Sequence, residues 1–141
     1  METSDVRRRV GEAIAFARQA ETQRRTRTDQ ATRAFDTFLE RVATPLFRQV
    51  ANVLKVQGYA FTVSTPGASV RLTSERNARE LIELILDTSG DTPLVVGHVA
   101  YERGHRVVET ERPIAEEAVE DLTEEHVLAF VLKELEPFVE R

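Results

Sequence analysis

The chain contains no cysteine, which excludes a disulfide framework, a thiol nucleophile and a thiolate-bound metal. No window approaches the roughly 20 consecutive apolar residues of a membrane span, and the opening METSDVRRRVGEA lacks the continuous apolar core of a secretory signal. Both absences are expected of a cytoplasmic protein with no part in a membrane. Neither glycine nor proline occurs between Glu12 and Ala43, so nothing in that span breaks a helix. Residues 21–30, ETQRRTRTDQ, lack any aliphatic or aromatic side chain.

Catalytic signatures are missing as well. The glycines form neither a Walker pattern nor GxGxxG, and the serines sit in no GxSxG elbow. Neighbouring carboxylates such as Glu116 and Glu117, or Glu124 and Glu125, lie in acidic, solvated stretches. The expectation is a protein that is not an enzyme and carries no cofactor. His98 and His105 flank a predicted hairpin and would approach Glu109 and Glu111 in one register, the only conceivable metal or acid–base constellation. A slip of one residue reverses the faces and destroys it. His126 falls in the first turn of the last predicted helix, where a cation is disfavoured, and reads as a surface residue.

The charge that is present is unevenly divided. Residues 1–57 hold 11 Lys/Arg and 7 Asp/Glu, a net of +4, whereas residues 58–141 hold 8 and 17, a net of −9; together they give the chain's −5. Such a split suits a basic arm with an acidic partner, or two parts of one protein that attract each other.

Val6, Val10, Ala13, Ala17 and Ala20 recur at three- and four-residue steps, and Ala31, Phe35, Phe38 and Val42 resume the pattern after the bare stretch. A helix is predicted through the first 43 residues. TPLFRQVANVLKVQG continues as a second helical segment with Pro45 near its start and Gly58 past its end, or as one very long helix kinked at Pro45. From Tyr59 the period becomes two. YAFTVST and SVRLTS flank the turn PGA, and PLVVGHVAYERGHRVVETERP is a second hairpin around Glu102, Arg103 and Gly104. NARELIELILDTSGD fits a strand or a helix over residues 78–88, and the bracketing turns favour the strand. TEEHVLAFVLKELEPFVER is a helix with Thr123 as its cap and Val127, Leu128, Val131, Leu132 and Leu135 as its buried stripe.

The predicted fold is therefore α+β: a long N-terminal helix, an antiparallel meander of four or five strands, and a C-terminal helix packed on the sheet. It divides into a helical oligomerisation arm, 1–57, and a sheet domain, 58–141, within one folding unit. Two functional classes follow. In the first, arms pair antiparallel in a dimer or larger homo-oligomer, Val6–Ala20 of one matching Ala31–Val42 of the next, with Val10, Ile14, Ala17, Ala31, Phe35, Phe38 and Val42 as interface. The sheet domain would then be a scaffold or a docking surface for a protein partner. In the second, Arg18, Arg24, Arg25, Arg27 and Arg33 bind nucleic acid. Interleaved Glu21, Asp29 and Asp36, and the lack of an aromatic for base stacking, weigh against the second.

Overall fold

A computed structural model describes residues 1–140. Helix α1 (Thr3–Phe38), a π-helical turn (Leu39–Ala43) and helix α2 (Thr44–Val56) follow one another without a break. Proline has no N–H to donate, and its ring crowds the carbonyl four residues back. The chain meets this by widening: the Thr44 N–H reaches the Leu39 carbonyl, five residues away. Pro45 thus neither ends nor interrupts the helix, and the π-turn just before it accommodates the ring.

Helix α2 ends at a glycine for a geometric reason. Gly58 has φ +95°, its N–H bonds the Lys55 carbonyl at 3.0 Å, and the Tyr59 N–H bonds the Leu54 carbonyl at 2.8 Å. This is a Schellman closure, which needs a left-handed residue. A Cβ at Gly58 would meet no atom within 4 Å, so only backbone strain opposes it. Gly58→Ala is expected to cost about 1–2 kcal/mol, read as a lower urea midpoint at unchanged slope.

Five strands follow in meander order, each antiparallel to its neighbour: β1 (Phe61–Ser64), β2 (Val70–Ser74), β3 (Leu81–Asp87), β4 (Leu94–Arg103) and β5 (Arg106–Pro113). Residues 81–87, which fit helix or strand by pattern, are the central strand. The β4–β5 turn is the pair Gly104–His105, with Arg103 opposite Arg106 and Gly104 at φ +66°. It lies one residue later than the sequence reading placed it. In the β3–β4 loop the Asp87 carboxylate accepts the Ser89 hydroxyl at 2.6 Å and its N–H at 2.9 Å, which hold that carboxyl below its usual pKa.

The helices lie on one face of the sheet. Val70, Leu72, Ile82, Leu84, Val95 and Val99 point into the core, where they meet Phe35, Phe38 and Phe47 from the N-terminal helical run and Val127, Phe130 and Val131 from α3 (Glu124–Glu134). Gly97 of β4 is a hole in this surface, because the Phe130 ring occupies the volume a Cβ would need. The short helix α4 (Glu136–Val139) turns Phe138 inward against Phe61 and Tyr101, edge to face at 5.9 and 6.1 Å. Tyr59 donates its hydroxyl to the Val139 carbonyl at 3.1 Å, tying the chain end to the start of the sheet.

Two expectations need correcting. Ala31, Phe35, Phe38, Ala43, Leu46, Phe47 and Leu54 of the helical run share one core with the sheet, so burial changes near residue 30 and not at 57. Leu132 does not join the buried stripe of α3 but is 59% exposed. It lines an apolar groove of about 260 Å³ between α2 and α3 with Leu46, Val50, Val53, Leu128 and Leu135.

His126 also has a role that its charge type hid. Its Nδ1 accepts the Thr123 backbone N–H at 2.9 Å while the Thr123 hydroxyl serves the N–H of His126, a reciprocal capping box at the start of α3. Its Nε2 faces Glu117 at 3.4 Å. His126→Ala should cost about 0.5–1.5 kcal/mol in thermal or urea unfolding, and His126→Gln should recover most of it, because an amide oxygen can take the same N–H.

Candidate interaction arm

Residues 1–30 stand outside the packed body. All of them are exposed except Asp5 and Thr28, which are half-buried, and burial begins at Ala31. At about 1.5 Å per residue the free stretch of α1 reaches roughly 40 Å from the body. Its polar groups are largely served within the helix. Thr22 and Thr26 donate their hydroxyls to carbonyls four residues back, at 3.0 Å. Arg8 lies 3.4 Å from both Asp5 and Glu12, and Glu21 lies 3.8 Å from both Arg24 and Arg25. These are exposed pairs worth a few tenths of a kcal/mol each.

Apart from Ala15, the apolar side chains along the arm's length lie on one side. At about 100° per residue, Val6, Val10, Ala13, Ile14, Phe16, Ala17 and Ala20 fall within one arc of the helix. Among the described residues none buries them: Ile14 is 46% exposed and Phe16 76%. Phe16 belongs to this stripe although its sequence spacing did not single it out, because it flanks the Val10–Ala17 row instead of lying on it.

The bare segment 21–30 now has a geometric meaning. Arg24 and Arg27 lie on the same seam as Val10, Ala17 and Ala20, so they end the apolar stripe. The seam then resumes at Ala31, Ala34 and Phe38, where it is no longer a surface. Ala31, Phe35 and Phe38 are buried in their own body, the two rings 6.1 Å apart, and Val42 packs half-buried against the same core. The antiparallel match of Val6–Ala20 with Ala31–Val42 of a neighbour is therefore closed off, since those residues already have partners within the chain. Of the seven interface residues named from sequence, Val10, Ile14 and Ala17 remain available.

The five arginines do not share a face. Arg24 and Arg27 lie on the seam, Arg18 and Arg25 flank it beside Ile14, and Arg33 lies on the opposite side. A rigid duplex would be contacted by one group or the other.

The histidine constellation is not assembled. His98 stands opposite Glu111 in register, with its Nε2 4.0 Å from Glu109, on the sheet face away from the helices. His105 occupies the hairpin turn at the end of the strands. Among the described residues no group of three or more His, Asp or Glu side chains is disposed to hold a metal ion. On the same outer face Arg71 pairs with Glu83 at 2.9 Å, and the Ser69 hydroxyl lies 3.1 Å from that carboxylate, an inward-leaning cross-strand tie between β2 and β3.

Among the described residues no helix is long and apolar enough to cross a membrane. No family model, no curated protein and no solved structure matches the chain.

Proposed function

We propose that the chain is a small non-enzymatic protein that self-associates, at least as a dimer, through the free stretch of α1. The sheet body is the scaffold or docking part that the arm assembles. One observation carries this reading: a helix of about thirty residues leaves the body with an apolar stripe that none of the described residues buries. Such a helix gains little from propensity alone, and in proteins most helical stability comes from packing an amphipathic face. Covering Val6, Val10, Ile14 and Phe16 removes about 1.5–3 kcal/mol of exposure for each side chain fully buried. The arginine-rich middle separates two apolar uses of one helix, intermolecular before it and intramolecular after it.

Light scattering tests the reading. The wild type is expected at twice the 16.0 kDa chain mass or more, unchanged between low and high salt, because an apolar seam is weakly screened. Ile14→Asp is expected to return the single-chain mass at micromolar concentration. A wild-type monomer under those conditions rejects self-association.

A further inference from the structure

We infer that the occupant of the arm's apolar seam is the arm of a second copy, packed antiparallel about a two-fold axis at the level of Ala15. The inference rests on the self-association proposed above and specifies its partner, direction and register.

The arm has a seven-residue repeat. Val10, Ala17 and Arg24 share one core position, and Val6, Ala13, Ala20 and Arg27 share the other. Parallel pairing sets like positions side by side, which would place Arg24 against Arg24 and Arg27 against Arg27 in the seam. Like charges so placed oppose association. Antiparallel pairing instead alternates the two positions, so that Val10 meets Ala20 of its partner and Ala13 meets Ala17. Arg24 then lies beside Val6, where its aliphatic stem can cover the valine while the guanidinium reaches water. Arg27 lies beside Thr3 at the end of the pair.

The flanking positions select the register. With Val10 facing Ala20, the flanks bring Ile14 to Ile14 on one side of the axis and Phe16 to Phe16 on the other. Arg7 comes to Glu21 of its partner, twice by symmetry. Moving one helix by seven residues keeps an apolar seam but puts Ile14 against Arg7 and Phe16 against Arg9. Among the described residues Arg7 makes no ion pair within its own chain, whereas Arg8 beside it makes two. The alanines at the centre, Ala13 and Ala17, let the helix backbones approach closely, and the larger Ile14 and Phe16 close over the sides. In this arrangement the two bodies, measured at Ala31, sit about 48 Å apart at opposite ends of a rod. The assembly is a spacer that holds two identical sheet bodies facing away from each other.

The absence of cysteine makes the test direct, since Thr3→Cys gives one labelling site in an otherwise thiol-free chain. Double electron–electron resonance of the spin-labelled dimer should give a Thr3–Thr3 spacing of about 36 Å at helical rise. A spacing of about 10 Å would mean parallel arms, and about 26 Å the register shifted by seven residues; either overturns the proposal while leaving self-association intact. A single-chain mass by light scattering on the same sample would overturn both. The charge pairing is tested by exchange. Arg7→Glu and Glu21→Arg are each expected to weaken dimerisation roughly threefold to tenfold, and the double variant to restore it. Additive loss in the double variant would rule out the Arg7–Glu21 contact.

Discussion

Gly97→Ala should destabilise the protein by about 2–3 kcal/mol, and Gly97→Val by more. The reason is packing and not backbone conformation. Gly97 is not among the residues with positive φ, and in an extended strand alanine is intrinsically better than glycine by a few tenths to 1 kcal/mol. A new Cβ would occupy the place of the Phe130 ring. That ring is wedged between β4 and the body of α3 and is only 4% exposed, so it has little room to withdraw, and overfilling a close-packed core forces off-rotamer side chains or a shifted helix. The check is a double-mutant cycle by urea denaturation. Phe130→Leu alone should lower stability, yet Gly97→Ala should cost clearly less in the Phe130→Leu background than in the wild type, with a coupling above about 1 kcal/mol. Additive effects would show that the glycine is retained for another reason.

Phe35→Asp is expected to unfold the protein, and Ile14→Asp to leave the fold intact. Both residues follow the apolar period of the same helix, and both were candidates for one interface. In the structure they have opposite surroundings. Phe35 is 1% exposed and stacks beside Phe38 under the sheet; removing such a ring costs about 3–5 kcal/mol, and an unpaired carboxylate in its place costs more. A domain's whole stability is about 5–15 kcal/mol, so the variant should lack a cooperative transition or show a midpoint near zero urea. Ile14 is 46% exposed and stands outside the core, and an aspartate there should change the body's stability by no more than about 0.5 kcal/mol. The two tyrosines, Tyr59 and Tyr101, both lie in the body and report its unfolding by fluorescence separately from the arm. Loss of the tyrosine-detected transition in Ile14→Asp would mean that the body does not stand without its arm.

The contrast between Phe35 and Ile14 marks where sequence reading reaches its limit. Periodicity reports that a helix has an apolar side. It does not report whether that side meets its own chain or another, because both partners would be equally apolar. Only the path of the chain decides this: the turn at Val119–Asp121 and the core it belongs to meet α1 from about Ala31 onward and leave the first thirty residues largely exposed. His126 is a parallel case. Its charge type argued against a helix N-terminus, and the geometry resolved the conflict by using an unprotonated ring nitrogen as the cap acceptor.

Much was determined by the sequence alone. The alternation of Phe61 and Val63, the β-branched runs around Gly104, and the helical spacing from Val6 to Phe38 specify their elements, since strand and helix periods are local properties of the backbone; Tyr59, which continues the alternation, instead closes α2 ahead of β1. Tertiary structure determined the rest. It made residues 81–87 the central strand, because two neighbouring strands offer hydrogen bonds that a lone helix there would not replace. It carried the helix past Pro45 by a π-turn, because both flanking segments are held against the same core. It divided one continuous apolar seam at Arg24 and Arg27 into a buried half and an exposed half, because only the part of the helix that lies over the sheet has a surface of its own chain to meet.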